Sequence, residues 1–395
     1  MSCVDYSLKN NRILQNLDKK PNNIILFFTY GVSLYRWEKT GIIDREVKFY
    51  QKLIQKYNIN VTFITYGDDK DLDISKRYRN INVVPVYKRF RKSKNKVFRF
   101  LKSLIIPFYI KKEIKNADII KTNQMWGSWV AVIAKFFFNK PLIIRCGWEK
   151  FYYNTSGYDY SNRFITWLIS KVSYEFSDQI ILTSSSSIEF IIEKFKINKE
   201  KINHLPNWID TDIFFPSEKE NKILFVGRLV PDKNPEMLLE VLKNTEMKLD
   251  ILGSGYLKEK LLDTIKQSHI NVSILPTIPN NKMPELYNKY SIYVICSDIE
   301  GNPKTLLEAM SCSCAVIGTK APGIKNIINN NQSGILVNKN VNELRQKLKE
   351  LWDDSSLRNS LGKKAREQII NNNSLDVILK KEYLIYDNIQ KNKHT

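Results

Sequence analysis

The chain has 395 residues, enough for two or three domains, and at 43% hydrophobic and 26% charged it is not a disordered composition. Its formal net charge of +21 calls for an anionic partner: nucleic acid, an acidic membrane surface or a phosphorylated substrate. Three histidines, and five cysteines (Cys3, Cys146, Cys296, Cys312, Cys314) without zinc-like spacing, argue against a metal centre and for idle thiols in a reducing cytosol.

The first twenty-two residues read as a polar leader without the apolar core of a signal peptide. NNIILFFTYG (22–31) predicts a strand ending at Gly31, and in 33–57 the residues Ile43, Val47, Tyr50 and Leu53-Ile54 recur at helical spacing. VTFITYG (61–67) and INVVPV (81–86) read as two more strands, a βαββ opening that suits a Rossmann-like domain.

The segment 87–116 is the most basic. Lys88, Arg89, Arg91, Lys92, Lys94, Lys96, Arg99 and Lys102 interleave there with Phe90, Phe98, Phe100 and Leu101. Cations mixed with aromatics suit an anionic bilayer surface and equally suit nucleic acid; a solvated helix is the plain alternative. No uncharged apolar run is long enough to span a bilayer, since Lys135 interrupts WVAVIAKFFF (129–138). ADIIKTNQ (117–124) and KPLIIRCGW (140–148) predict strands around a helix, and SDQIILTSSSSIEFIIEKF (177–195) a strand, a serine turn and a helix.

In the second half, NKILFVGRLVPDKNPEMLLEVL (221–242) predicts a strand reaching Gly227, then Arg228, and Lys233 ahead of an amphipathic helix. Two cations at a strand–helix junction can neutralise a diphosphate. KLDILGSG (248–255) ends in a Gly-Ser-Gly turn, and 272–290 reads as strand, loop and helix. SIYVIC (291–296) is a short buried strand; after it comes the loop 297–302, then a helix to about Ser311 with Asn302 as its cap and Pro303 at its first position. CAVIGT (314–319) is the next strand, and Pro322-Gly323 breaks the chain. In this βαβ unit Glu300 lies in the loop and Glu308 on the helix, both able to face a ligand at a helix start that favours anions. An ordinary exposed Lys304–Glu308 pair is the plain alternative. Three further helices follow, the last at about 375–391.

The string EGNPKTLLEAM (300–310), followed by a strand, P-G-I and SGILV (333–337), resembles the signature of family-4 retaining glycosyltransferases, with Glu300 and Glu308 at the E-x7-E positions. Gly227-Arg228 to Lys233 resembles their G-R-x-x-x-x-K element. INHLPNWIDTDIFFP (202–216) resembles their interdomain link, with Trp208 where they carry glycine. The resemblance implies the GT-B fold: an α/β chain of two Rossmann-like domains facing a cleft. The acceptor domain would be 1–211, completed by 375–395 as the last helix crosses back, and the donor domain 212–374.

The resemblance further implies a retaining, metal-independent transfer from a nucleotide sugar to a glycan or lipid-linked acceptor, in polysaccharide or glycolipid synthesis at the cytoplasmic face of a membrane. Glu300, Arg228 and Lys233 would be catalytic. Glu308, Gly227, Gly301, Asn302, Pro303, Lys304 and Thr305 would bind the donor. No cofactor and no nucleic acid are expected, and 87–116 would meet the membrane. Gly41, the best match to the family's glycine loop after the first strand, and Arg145 are candidate acceptor or phosphate contacts. Where the family often has a histidine near the transferred sugar, this chain has Cys146. Two readings stay open: an epimerase or phosphorylase on the same fold, or a non-catalytic anion-binding protein.

Overall fold

The computed structural model describes residues 20–155, 157 and 162–392; Cys3 and nearly all of the expected leader lie outside them. Thirteen described strands form two sheets. The first takes β1 (Asn23–Phe27), β2 (Asn60–Thr65), β3 (Ile81–Pro85), β4 (Ile119–Thr122), β5 (Leu142–Cys146), β6 (Gln179–Leu182) and β7 (Ile202–His204), in the order β3-β2-β1-β4-β5-β6-β7. The second takes β8 (Glu220–Val226), β9 (Leu249–Leu252), β10 (Val272–Leu275), β11 (Tyr290–Ile295), β12 (Ala315–Thr319) and β13 (Ile335–Val337), in the order β10-β9-β8-β11-β12-β13.

The pairings are parallel throughout, with β1 in register from Asn23↔Asn60 to Phe27↔Ile64. Central parallel strands are covered on both faces, which is why 24–27 of β1 and 315–318 of β12 are unbroken apolar runs and not alternating ones. In β8, Ile223 and Phe225 pack on one face with Leu238 and Leu242 of the helix Pro235–Leu242. Leu224, between them, joins Leu306 and Met310 of the helix Lys304–Ser311 on the other.

The chain forms two compact units, each with one sheet, and the fold class is the expected pair of Rossmann-like α/β domains. Apart from Thr183–Ser186, which group with the second unit, the chain passes from the first unit to the second at 205/206 and returns at 378/379, inside the helix Leu375–Lys391. The corresponding expectations were 211/212 and 374/375. The part of that helix in the first unit does more than bury apolar side chains. Glu382 ion-pairs with Lys121 of β4, both almost fully buried, and Tyr386 donates its hydroxyl proton to Glu382. Leu384 of the same helix is exposed.

Two local expectations change. The helix read over 33–57 is two helices, Leu34–Lys39 and Ile43–Tyr57. The first starts where Ser33 Oγ accepts the Arg36 N–H, and Gly41 makes the break with φ +68°. The 202–216 link begins with β7, the edge strand of the first sheet.

Candidate active site

In the second sheet the strand order reverses between β8 and β11, and the carboxyl ends of two such strands are where an open α/β sheet binds ligands. The loop after β8 holds Gly227, Arg228 and Lys233; the loop after β11 holds Glu300 to Pro303. Glycines press neighbouring backbone against both. A Cβ on Gly253 would stand 1.9 Å from the Gly227 carbonyl oxygen, and one on Gly255 2.2 Å from that of Leu229. The Gly-Ser-Gly turn thus seats the Arg228 loop, with Leu229 N–H donating to Ser254 O at 2.9 Å. Gly323, at φ +83°, does the same for the other loop: its Cβ would meet Glu300 O at 2.2 Å, while Glu300 N–H donates to Pro322 O at 2.9 Å.

The seated loops bring Lys233 and Glu300 together. Lys233 Nζ donates to Glu300 Oε1 at 2.7 Å, and Ser297 Oγ donates to the same oxygen at 2.6 Å. Both ends of the pair are largely buried, their side chains 10% and 15% exposed. Asp232 lies 3.5 Å from Lys233 and 3.6 Å from Arg228, whose side chain is 67% exposed. Asn234 locks the loops together: in a left-handed conformation, it donates through Nδ2 to Cys296 O at 2.9 Å and Asp298 Oδ1 at 2.7 Å.

The helix after β11 runs from Lys304 to Ser311, one residue later than expected. Pro303 is its cap position, in extended backbone, and Asn302 does not cap it. The Asn302 side chain instead accepts the Asn207 N–H at 2.7 Å, and Asn302 O accepts from Asn207 Nδ2 at 2.6 Å, so the link segment is tied to this loop. The Trp208 ring, in the place of the family's glycine, carries Lys304 Nζ 5.6 Å from its centroid. Thr305 Oγ1 accepts from Tyr293 OH at 2.9 Å. Glu308 is buried one turn further on and accepts from Tyr287 OH at 3.0 Å. Burial, then the Glu308 charge, holds the Tyr287 phenol well above its usual range.

Gly41 and Arg145 belong to the first unit. Gly41 is not in the loop after β1, where Gly31 supplies the positive φ; an added Cβ at Gly41 would touch nothing within 4 Å. Arg145 is held at the end of β5, its backbone N–H on Thr122 Oγ1 at 3.1 Å and its guanidinium toward Asn123 O at 3.4 Å. The basic segment folds as four short helices: Val86–Arg89, Lys96–Leu104, Ile106–Tyr109 and Lys111–Asn116. Cys146, Cys296, Cys312 and Cys314 are buried and free; burial, then Asp298, pushes the Cys296 thiol up to about 12, which disfavours a thiolate. Among the described residues no three His, Cys, Asp or Glu side chains gather as a metal site, and no helix is long and apolar enough to cross a membrane.

Sequence reasoning missed Asp232, Ser297, Asn234 and Tyr287 around these groups. Asn234-Pro235 carried a helix-start signal that would have found the third of them. Tyr287 is one of many aromatic residues, and only contact singles it out.

The glycosyl transferases group 1 model matches residues 208–368, and the glycosyltransferase family 4 model residues 52–213. A Campylobacter jejuni relative named GalNAc-alpha-(1->4)-GalNAc-alpha-(1->3)-diNAcBac-PP-undecaprenol alpha-1,4-N-acetyl-D-galactosaminyltransferase is 30% identical over 274 residues, 66% of this chain and 73% of its own length. The chain belongs to the group 1, family-4 glycosyltransferases. A second relative of this glycosyltransferase from the same organism, named N-acetylgalactosamine-N,N'-diacetylbacillosaminyl-diphospho-undecaprenol 4-alpha-N-acetylgalactosaminyltransferase, is 28% identical over 69% of this chain and 78% of its own. The fold is shared with a solved glycosyltransferase from Rickettsia africae, with TM-score 0.72 at 21% identity over 95% of this chain and 100% of that one. It is shared also with Anabaena HepE in complex with UDP, with TM-score 0.72 at 14% identity over 92% and 99%.

Proposed function

We propose that this glycosyltransferase moves a sugar from a nucleoside diphosphate sugar to a hydroxyl of a glycan or lipid-linked acceptor, with retained anomeric configuration and without a metal ion or other cofactor. The observation that carries the reading is the Lys233–Glu300 pair at the β8/β11 reversal, beside the start of the 304–311 helix. A cation, free helix N–H groups and a sugar-facing carboxylate are what a diphosphate sugar requires. Arg228, Lys233 and the amides of Gly301 to Thr305 neutralise the leaving diphosphate. Glu300 aligns the sugar hydroxyls and stabilises the developing oxocarbenium charge. Glu308 holds the ribose hydroxyls while Tyr287 occupies its other oxygen. The bond from the anomeric carbon to the diphosphate breaks and its electron pair leaves with the phosphate. The acceptor oxygen bonds the same face of that carbon, and its proton passes to the departing phosphate, so no dedicated base is needed.

The names of the Campylobacter relatives, which transfer onto undecaprenol-linked sugars, support a lipid-linked acceptor and a role in cell-surface polysaccharide or glycolipid synthesis. A peripheral position on the inner face of the membrane, through the basic 87–116 segment, belongs to the same proposal.

The test is the melting temperature with UDP, GDP and ADP for wild type, Glu308→Gln and Glu308→Ala. A nucleotide at a hundredfold its Kd adds about 2.7 kcal/mol to the wild type. One nucleotide should stabilise the wild type and fail with the folded variants. No shift with any nucleotide overturns the reading. With that nucleotide's sugars, product formed without an acceptor would indicate an epimerase, an inverted anomer by NMR would overturn retention, and loss of turnover in EDTA would overturn metal independence.

A further inference from the structure

Among the described residues eighteen large apolar side chains are exposed, and thirteen of them fall between Val97 and Phe176, which places the excess on one part of the first unit. Two helices there are built inside out. In Lys96–Leu104 the buried residue is Ser103, while Val97, Phe98 and Leu101 are 66%, 61% and 49% exposed. In Arg163–Glu175 the inward residues are Thr166, Ser170, Ser173 and Tyr174, while Phe164, Ile165 and Leu168 face out. A surface helix of a water-facing domain has the opposite arrangement.

The helix Ser128–Phe138 lies between them and joins them. Its Trp129 ring packs 5.4 Å from Phe100, and its Nε1–H donates to Ser103 Oγ at 2.9 Å. Its Phe137 packs 4.9 Å from Phe108, on the short helix Ile106–Tyr109. Its Phe136, also outward, packs 4.9 Å from Phe176 at the end of the 163–175 helix. Exposed rings thus meet at Phe108–Phe137 and Phe136–Phe176, while exposed Phe100 meets the half-buried Trp129.

Exposed cations outnumber exposed acids on the elements of this face, where Glu175 stands beside Phe176. Arg91, Lys92, Lys94, Lys96 and Lys102 are exposed beside it, as are Arg163 and Lys171. Glu113, the acid within 87–116, is taken by Arg89. A second copy would bring like charge against like charge, whereas lipid phosphates complement it.

We infer that the outward faces of the 96–104, 106–109, 128–138 and 163–175 helices form a single footprint inserted among the acyl chains of an anionic leaflet. This rests on the membrane position proposed above and goes beyond it. The attachment is an apolar surface of the folded domain, reaching well outside the basic segment, and the cations orient it without supplying its hold.

The full chain is tested by flotation with vesicles of phosphatidylglycerol and phosphatidylcholine, at low and high salt. Phe136→Ser with Phe137→Ser and, separately, Phe164→Ser with Leu168→Ser should each weaken binding at least about tenfold. Wild-type binding should survive high salt, and the melting shift with nucleotide should be unchanged in every variant. Variants that float like wild type, while Lys94→Ala with Lys96→Ala abolishes flotation, would show adhesion by charge and overturn the footprint. So would failure of the wild type to bind, or phenylalanine variants that turn a dimer into a monomer in sedimentation without losing vesicles. Vesicle binding without any nucleotide shift would instead sink the transfer reaction and leave the footprint standing.

Discussion

Lys233 Nζ lies 2.7 Å from Glu300 Oε1, so the cation suited to a diphosphate and the carboxylate suited to a sugar hold each other across two loops. Arg228, five residues before Lys233, is mostly exposed and only 3.6 Å from a carboxylate that Lys233 also approaches. The two cations therefore differ in what their loss should do. On the proposed mechanism Lys233→Ala removes a transition-state contact as well as the partner of a largely buried carboxylate, and Arg228→Ala only the former. Turnover should fall by about 10²-fold for Arg228→Ala and further for Lys233→Ala, the second with a lower melting temperature. Steady-state kinetics and thermal unfolding check it; near-normal turnover of Arg228→Ala would remove that residue from the site.

Glu308 is buried with one oxygen on Tyr287 OH. Glu308→Ala leaves that phenol without its acceptor and should cost about 1–3 kcal/mol in urea unfolding. Glu308→Gln keeps an acceptor there and should unfold close to wild type. An equal loss in both variants would mean that the charge, and not the hydrogen bond, matters for stability.

Gly323 carries φ +83° and presses against the Glu300 carbonyl. Gly323→Ala meets both a disfavoured backbone and a 2.2 Å clash, so the Glu300 loop must move. Expected is a loss of more than about 1 kcal/mol in stability together with a lower kcat. Gly41→Ala has similar backbone strain but no clash, and should leave kcat unchanged.

Burial raises the Glu149 carboxyl above its usual range, against hydrogen bonds from Ser170 Oγ and the Tyr152 N–H that favour the charged form. A folded-state value above the unfolded one means that the protonated group stabilises below the unfolded value. That contribution is lost as pH rises through the folded value. Glu149→Gln does not titrate, so its stability relative to wild type should climb as pH rises from about 4 toward neutral. Urea unfolding across that range checks it; a difference that stays flat would mean that Glu149 titrates normally.

The parallel strands were legible because a strand must be apolar where both its faces are covered, as 24–27, 223–226, 292–295 and 315–318 are. The carboxylates of the E-x7-E spacing were legible because both sit in one strand–loop–helix unit. Gly41 was misplaced because a glycine before a periodic run looks alike whether it ends a loop or breaks a helix. Asn302 was misread as a cap because its competing partner, Asn207, is 95 residues away.

The sequence by itself determined the two α/β domains, the family and the residue types at the site, since these follow from local patterns and short spacings. Only the tertiary structure decided that Lys233 and not Arg228 is the buried cation, and that it meets a carboxylate 67 positions on. It alone also showed the serines of the 96–104 and 163–175 helices turned inward and the phenylalanines outward. Both depend on which strands lie side by side and which helix face the sheet covers, and those contacts join residues far apart along the chain.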